Sequence, residues 1–331
     1  MKKIISLILA LMLVLCMGVA AFAEDTGDAE TPSTPSYVEH LDKEPVVSKT
    51  YKVNNGTAPA ETFTFSFEGE SYKNGDGQIV SGATIPAIGN VTIDFDAISA
   101  ELNKTVTASI NANDYNLGVY TYKVTEITPI TKTTGVTYST ENLYLVLTIL
   151  RDEQSGKHYV AAMHYQNATG TDKSTGFTNE YDSGSLTVSK TIAGNMADMN
   201  KKFAFTISFT APEDTEIKST ISSDNTAGTW NGLTYTVSLG NGESVTFGNI
   251  PAGTTYTVTE EAENYTSDGG VFSDATKTIS ANDTDTVAFT NTLTTEIDMG
   301  ISTDSLPYIM LLGIVTMIGA AMLIKRRATN N

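Results

Sequence analysis

Apolar side chains recur at every second position in many short runs of this chain, and two of those runs carry an anomaly. Val47, Lys49, Tyr51 and Val53 share one parity, with Ser48, Thr50 and Lys52 on the other. Leu186, Val188, Lys190 and Ile192 alternate in the same way with Thr187, Ser189 and Thr191. A period of two marks a strand with one buried face, so each apolar row contains a lysine, which is costly to bury. Two other runs put an asparagine in the apolar row: Phe177, Asn179 and Tyr181, and Val287, Phe289 and Asn291. Between them, Tyr122, Val124 and Glu126 form one row and Tyr256, Val258 and Glu260 another, each with a glutamate. Lys, Glu and Asn thus recur in the same order on buried parity, the signature of a duplicated unit.

The remaining runs predict an all-β fold of two tandem immunoglobulin-like β-sandwiches, residues 45–182 and 183–294. In the first, Phe63, Phe65 and Phe67 alternate, as do Val91, Ile93 and Phe95. Leu143–Ile149 and Tyr159–Tyr165 flank a turn at Asp152–Gly156, a hairpin signal. In the second, Phe203, Phe205, Ile207 and Phe209 predict one strand, and Val245 and Phe247 another that leads through Ile250–Gly253 into the Tyr256 strand. The expected linker is Glu180–Ser185. Glu261 falls on the polar parity and receives no role.

Composition refines this picture at the two ends. Residues 1–23 are expected to be a secretory signal: Lys2 and Lys3, an apolar run, then Ala21-Phe22-Ala23. Residues 24–44, acidic and rich in Thr, Ser and Pro, read as a flexible leader. Cys16 is the single cysteine and would leave with the signal, so disulfides cannot stabilise the exported domains. Residues 295–331 combine an apolar run at 308–324, expected to be a transmembrane helix, with Lys325, Arg326 and Arg327. The domains would then face outward at the cell surface. A net charge of −18 leaves no basic stripe for nucleic acid.

Burial pushes a lysine toward its neutral, nucleophilic form and a carboxyl group toward its protonated form. Beside an asparagine amide such a pair can make a new amide bond. The lysine attacks the side-chain carbonyl carbon, the glutamate polarises the carbonyl oxygen and shuttles protons, and ammonia leaves. No cofactor or metal is required, because proximity supplies the rate. The alternative is a buried Lys–Glu ion pair bridged by Asn, a poor stabiliser.

The residues around Val47-Ser48-Lys49, Tyr122–Glu126 and Phe177-Thr178-Asn179, with Val188-Ser189-Lys190, Tyr256–Glu260 and Phe289-Thr290-Asn291, resemble the isopeptide-bonded domains of Gram-positive pilins. The whole resembles a two-domain, streptococcal-type major pilin. The resemblance implies self-formed isopeptide bonds joining Lys49 to Asn179 and Lys190 to Asn291, with Glu126 and Glu260 as catalytic acids. It implies a sortase and other copies of the chain as partners, with minor pilins and host surface ligands beyond them, and attachment to cell wall or membrane. The sorting-motif-like stretch, Glu296-Ile297-Asp298-Met299-Gly300, departs from the family pattern in having Met299 where a threonine becomes the acyl donor. Lys173, then Lys157, are the candidate polymerisation lysines. A non-polymerising anchored adhesin is the alternative in the same location. A secreted glycosidase-like enzyme is disfavoured, because the inward carboxylates occur one per domain and each has a lysine partner. His158 and His164, six apart, lack a third ligand in the sequence.

Overall fold

A computed structural model describes residues 43–170, 176–268, 277–295 and 306–328. The signal segment, nearly all of the leader, Lys173 and Glu296–Gly300 lie outside the described residues.

The first sandwich comprises β1 (Val46–Val53), β2 (Glu61–Asn74), β3 (Val91–Phe95), β4 (Leu102–Thr107), β5 (Gly118–Ile127), β6 (Lys132–Thr133), β7 (Val136–Thr137), β8 (Asn142–Arg151), β9 (His158–Gln166) and β10 (Gly176–Tyr181). One sheet has the order β4-β1-β10-β7, the other β3-β2-β5-β8-β9. The core lies between them and is closed by aromatic rings. Tyr51, Phe63 and Phe95 pack edge to face with centroids 5.2–5.6 Å apart, the arrangement that ring quadrupoles favour.

The second sandwich comprises β11 (Ser183–Ala193), β12 (Phe203–Thr210), β13 (Thr215–Glu216), β14 (Ser222–Ser223), β15 (Thr229–Asn231), β16 (Thr234–Leu239), β17 (Ser244–Pro251), β18 (Thr255–Glu260), β19 (Thr266–Asp268), β20 (Lys277–Thr278) and β21 (Thr284–Thr292). Its sheets run β14-β17-β11-β21-β19 and β15-β16-β12-β18-β20. Phe205 meets Phe289 across the layers at 5.0 Å, and Phe209 meets Phe247 at 5.4 Å.

The same topological device appears in both sandwiches. The first and last strands are parallel neighbours: β1 pairs with β10 and β11 with β21. Parallel neighbours need a long crossover, and here the whole domain is that crossover.

The join between the sandwiches is shorter than the Glu180–Ser185 linker expected from the sequence. Glu180 and Tyr181 complete β10, Ser183 begins β11, and Asp182 alone stands between. Main-chain pairing continues across the junction, because β6 pairs with β13 in parallel. Asn55 bonds both ways to the Ser183 main chain, at 2.6 and 2.7 Å. Asn249 accepts from Thr57 N–H at 2.8 Å and donates to the carbonyls of Thr57 and Thr220. It does so from a left-handed backbone, φ 56°, which asparagine tolerates better than other residues with a Cβ. Gly56, itself at φ 72°, lies so close that an added Cβ would fall 2.3 Å from Asn249 Oδ1. The buried Glu61 carboxylate takes the Lys218 ammonium at 3.1 Å and the Thr133 hydroxyl.

The C-terminal segment is an α-helix, α1 (Leu306–Ala328), longer than the expected 308–324 span. Its described side chains cover 310–320 and 322. Among the described residues no helix is long and apolar enough to cross a membrane, so the transmembrane expectation gains no support from the structure.

Asn249→Ala should lower the stability of the second sandwich by about 2–4 kcal/mol, combining lost hydrogen bonds with left-handed strain. Asn249→Gly relieves the strain alone and should fall between Ala and wild type in the midpoint of denaturant unfolding. Three equal midpoints would show that Asn249 does not hold the junction.

Candidate functional site

In each sandwich the lysine and asparagine come from one sheet and the glutamate from the other. On β1 and β10, Lys49 is level with Phe177, and Asn179 with Tyr51. Lysine and asparagine are therefore on adjacent strands, two residues apart along them and on the same face. That offset is roughly 6–7 Å, within reach of a four-carbon side chain. The second domain repeats the register: Lys190 is level with Phe289, and Asn291 with Ile192. Across the core, Glu126 is level with Phe65, and Glu260 with Phe205.

The side chains converge as this register dictates. Lys49 Nζ is 2.5 Å from Glu126 Oε2, and both side chains are fully buried. Asn179 Nδ2 donates to Glu126 Oε1. In the second domain Lys190 Nζ lies 2.6 Å from Glu260 Oε1, and both side chains are buried. Asn291 Nδ2 donates to the same Glu260 oxygen at 3.0 Å. Ser267 Oγ donates to Glu260 Oε2 at 3.1 Å.

Desolvation dominates the electrostatics. It lowers the Lys49 amine to about 8, with the Glu126 charge and hydrogen bond opposing the shift and Glu141 adding a smaller opposing field. Lys190 is lowered for the same reason, against Glu260. Both amines are thereby brought closer to the neutral form that can attack a carbonyl.

One feature departs from the expected chemistry. The carboxylates face the amide nitrogens of Asn179 and Asn291, not their carbonyl oxygens. At Asn179 the assignment is enforced, because the Ser139 main-chain N–H donates to Oδ1 at 2.7 Å. A donor can face only the oxygen of an amide group. Glu126 therefore faces the amide nitrogen of Asn179.

Aromatic rings wall both sites, a role not read from the sequence. Lys49 Nζ lies 4.5 Å from the centroid of Phe63, and Lys190 Nζ 4.4 Å from that of Phe203. Phe65 packs on Phe177 at 5.1 Å, as Phe205 does on Phe289. The signal available was a Phe-x-Phe pair following each lysine, Phe63–Phe65 and Phe203–Phe205. Ser139 left none, because it acts through its main chain.

Lys157 is exposed in the β8–β9 turn and away from both triads. The His158 ring bonds the Tyr115 carbonyl at 2.8 Å. Among the described residues no cluster of acidic, histidine or cysteine side chains could hold a metal ion.

Comparison with known proteins follows the division into sandwiches. Residues 45–182 match the FctA family model, described as a Spy0128-like isopeptide containing domain. Residues 184–293 match a domain of unknown function, DUF7601. A curated pilin of Streptococcus pyogenes serotype M1 is 30% identical over 301 residues, covering 83% of this chain and 87% of that one. The crystal structure of the major pilin from Streptococcus pyogenes shares the fold, at TM-score 0.54 and 24% identity over 77% of this chain and all of that one. The T3.2 major pilin of the same species, serotype GAS13637, does so at TM-score 0.52 and 22% identity, over 76% of this chain and 98% of that one. The chain belongs to the pilin family, and its first sandwich matches that family's isopeptide-containing domain.

Proposed function

We propose that both triads condense into Lys–Asn isopeptide bonds, and that the shaft subunits so reinforced are joined covalently end to end by a sortase. The carrying observation is the repeated burial of a lysine against a glutamate whose carboxylate also holds the asparagine amide.

The reaction balances without a co-reactant. A proton passes from the lysine ammonium to the glutamate, leaving a neutral pair. Lysine Nζ attacks asparagine Cγ and forms the new C–N bond. Glutamate gives its proton to Nδ2 and recovers one from Nζ, the Cγ–Nδ2 bond breaks, and ammonia departs. One amide replaces another, and the two buried charges disappear. In the second domain Ser267 holds the second carboxylate oxygen and keeps Glu260 aimed at its partners.

Polymerisation needs an acyl donor near Met299 and an acceptor lysine, Lys173 or failing that Lys157. Export through residues 1–23 and retention by the segment around α1 would put each subunit at the assembly site. Pilus-associated adhesins and host surface ligands would engage the assembled shaft.

The intact mass of the exported domains should fall below the sequence mass by two ammonia molecules. Lys49→Ala or Asn179→Ala should restore one, and Lys190→Ala or Asn291→Ala the other. Glu126→Gln and Glu260→Gln should leave their own domain unlinked or slow to link. Full sequence mass in the wild type would sink the cross-linking reading.

The reactive form of the Lys49–Glu126 pair holds one shared proton. Above about pH 8 the amine loses that proton, and Glu126 then has none to give to the leaving nitrogen. The rate of Lys49–Asn179 linkage during refolding should therefore fall by roughly tenfold per pH unit above that point. A rate still rising at higher pH would mean that the free amine reacts without a proton donor.

Boiled cell-wall extracts should show a ladder of covalent polymers, and Lys173→Ala should collapse it to monomer. A ladder that survives both Lys173→Ala and Lys157→Ala places the acceptor elsewhere.

A further inference from the structure

The two triads differ in what meets the asparagine oxygen, and the cause is a difference in strand length. In the first domain, β7 pairs with β10 only at Thr137–Glu180 and Val136–Tyr181. The ladder stops one pair short of Asn179. The chain then turns so that Ser139 N–H, freed from main-chain pairing, meets Asn179 Oδ1 at 2.7 Å. In the second domain, β19 pairs with β21 through the asparagine itself, with Ser267 level with Asn291. The neighbouring strand there offers a hydroxyl to the glutamate instead. Among the described residues nothing donates to the buried Asn291 Oδ1.

We propose that the Ser139 main-chain N–H is a catalytic oxyanion donor for the first isopeptide bond, and that its absence from the second makes the two domains link in a fixed order, first domain before second. This rests on the cross-linking reading above. As Nζ attacks Cγ, the carbonyl electron pair moves onto Oδ1, and negative charge develops where the N–H already points. When the pair returns, it expels Nδ2, which leaves as ammonia on the Glu126 proton. A donor fixed by the main chain in a dry site needs no reorganisation as charge appears, and this gives such donors their effect. The same hydrogen bond sets the amide rotamer, turning Nδ2 toward Glu126. One N–H therefore both polarises the electrophile and aims the leaving group. The Asn291 Nδ2 also faces its glutamate, but among the described residues no donor meets Asn291 Oδ1 to polarise the carbonyl.

The test follows both linkages in one refolding chain by peptide mass spectrometry. Ribosomal incorporation of an α-hydroxy acid at position 139 replaces the N–H by an ester oxygen and keeps the serine side chain. The Lys49–Asn179 rate should fall on the order of 10²-fold, while the Lys190–Asn291 rate in the same molecules stays unchanged as an internal control. Ser139→Ala keeps the N–H and should link at the wild-type rate. A merely structural hydrogen bond would lower the melting temperature of the ester variant without slowing linkage. In wild type, Lys49–Asn179 should form at least several-fold faster than Lys190–Asn291, and this order decides the matter should the ester variant not fold. An unchanged rate in a folded ester variant, or second-domain linkage first, overturns the proposal and leaves the cross-links standing. Loss of no ammonia from either domain overturns both.

Discussion

Two ammonium groups held out of water, each against one carboxylate, set the terms for this structure. Taking an ion of this size out of water costs several kcal/mol even after relaxation, and Coulomb attraction in the core only partly offsets it. Ring faces of Phe63 and Phe203 recover a little through cation–π contact. A fold kept for stability alone would do as well with an apolar side chain at Lys49 and Lys190. The proposed condensation would remove the difficulty. Because one amide is exchanged for another, the bond energies nearly cancel. The loss of buried charge and the escape of ammonia would then drive the exchange forward, and the dry core that makes the charges costly would suit the product.

That interaction requires the parallel pairing of first and last strands. Only neighbours in one sheet, with lysine and asparagine two residues out of level, bring Nζ to Cγ from the same face. Only an opposing sheet can deliver the carboxylate from the other side. The Phe-x-Phe pair links the two requirements. Phe65 is level with Glu126 in its own sheet and packs on Phe177, which is level with Lys49. Phe205 and Phe289 do the same for Glu260 and Lys190. Ring packing between the layers thus sets how far the glutamate stands from the lysine.

Much of this was legible because burial in a sheet has a period of two, and a polar residue in an apolar row is conspicuous. Lys49, Glu126 and Asn179 were visible as parity violations, and duplication made chance an inadequate account of them. The strand pairs carrying them followed, as did the β8–β9 hairpin. Short strands did not: β6, β7 and β13 have two residues each, too few for a period to show. Yet β6 and β13 tie the sandwiches together, and where β7 stops decides what meets Asn179. The left-handed Asn249 was hidden for another reason, since its partners Thr57 and Thr220 are distant in sequence. At the glutamates the geometry differs from the expected contact with the carbonyl oxygens, because both carboxylates face amide nitrogens. Parity shows which face a side chain occupies but not which end of an amide a carboxylate will meet, and Ser139 settles that through its main chain.

The position of the proposed bonds has a mechanical meaning that their chemistry does not. In a polymer of such subunits, tension would enter a domain at the start of its first strand and leave at the end of its last. With β1 beside β10 in parallel, and β11 beside β21, that load shears one strand directly against the other. Hydrogen bonds resist shear collectively, but each is worth only about 1 kcal/mol net. An amide joining those two strands carries the load past the ladder, and the rest of the sandwich is left unstretched. The bond would also close nearly the whole domain into a loop, removing unfolded-chain entropy worth roughly 4–5 kcal/mol by analogy with a disulfide of that span. A disulfide could supply the loop but remains open to reduction and exchange, whereas an amide is not. Since the Asp182 join passes force from β10 straight into β11, two amides in series would leave one residue and the strand ends as the stretchable part of the path through both domains.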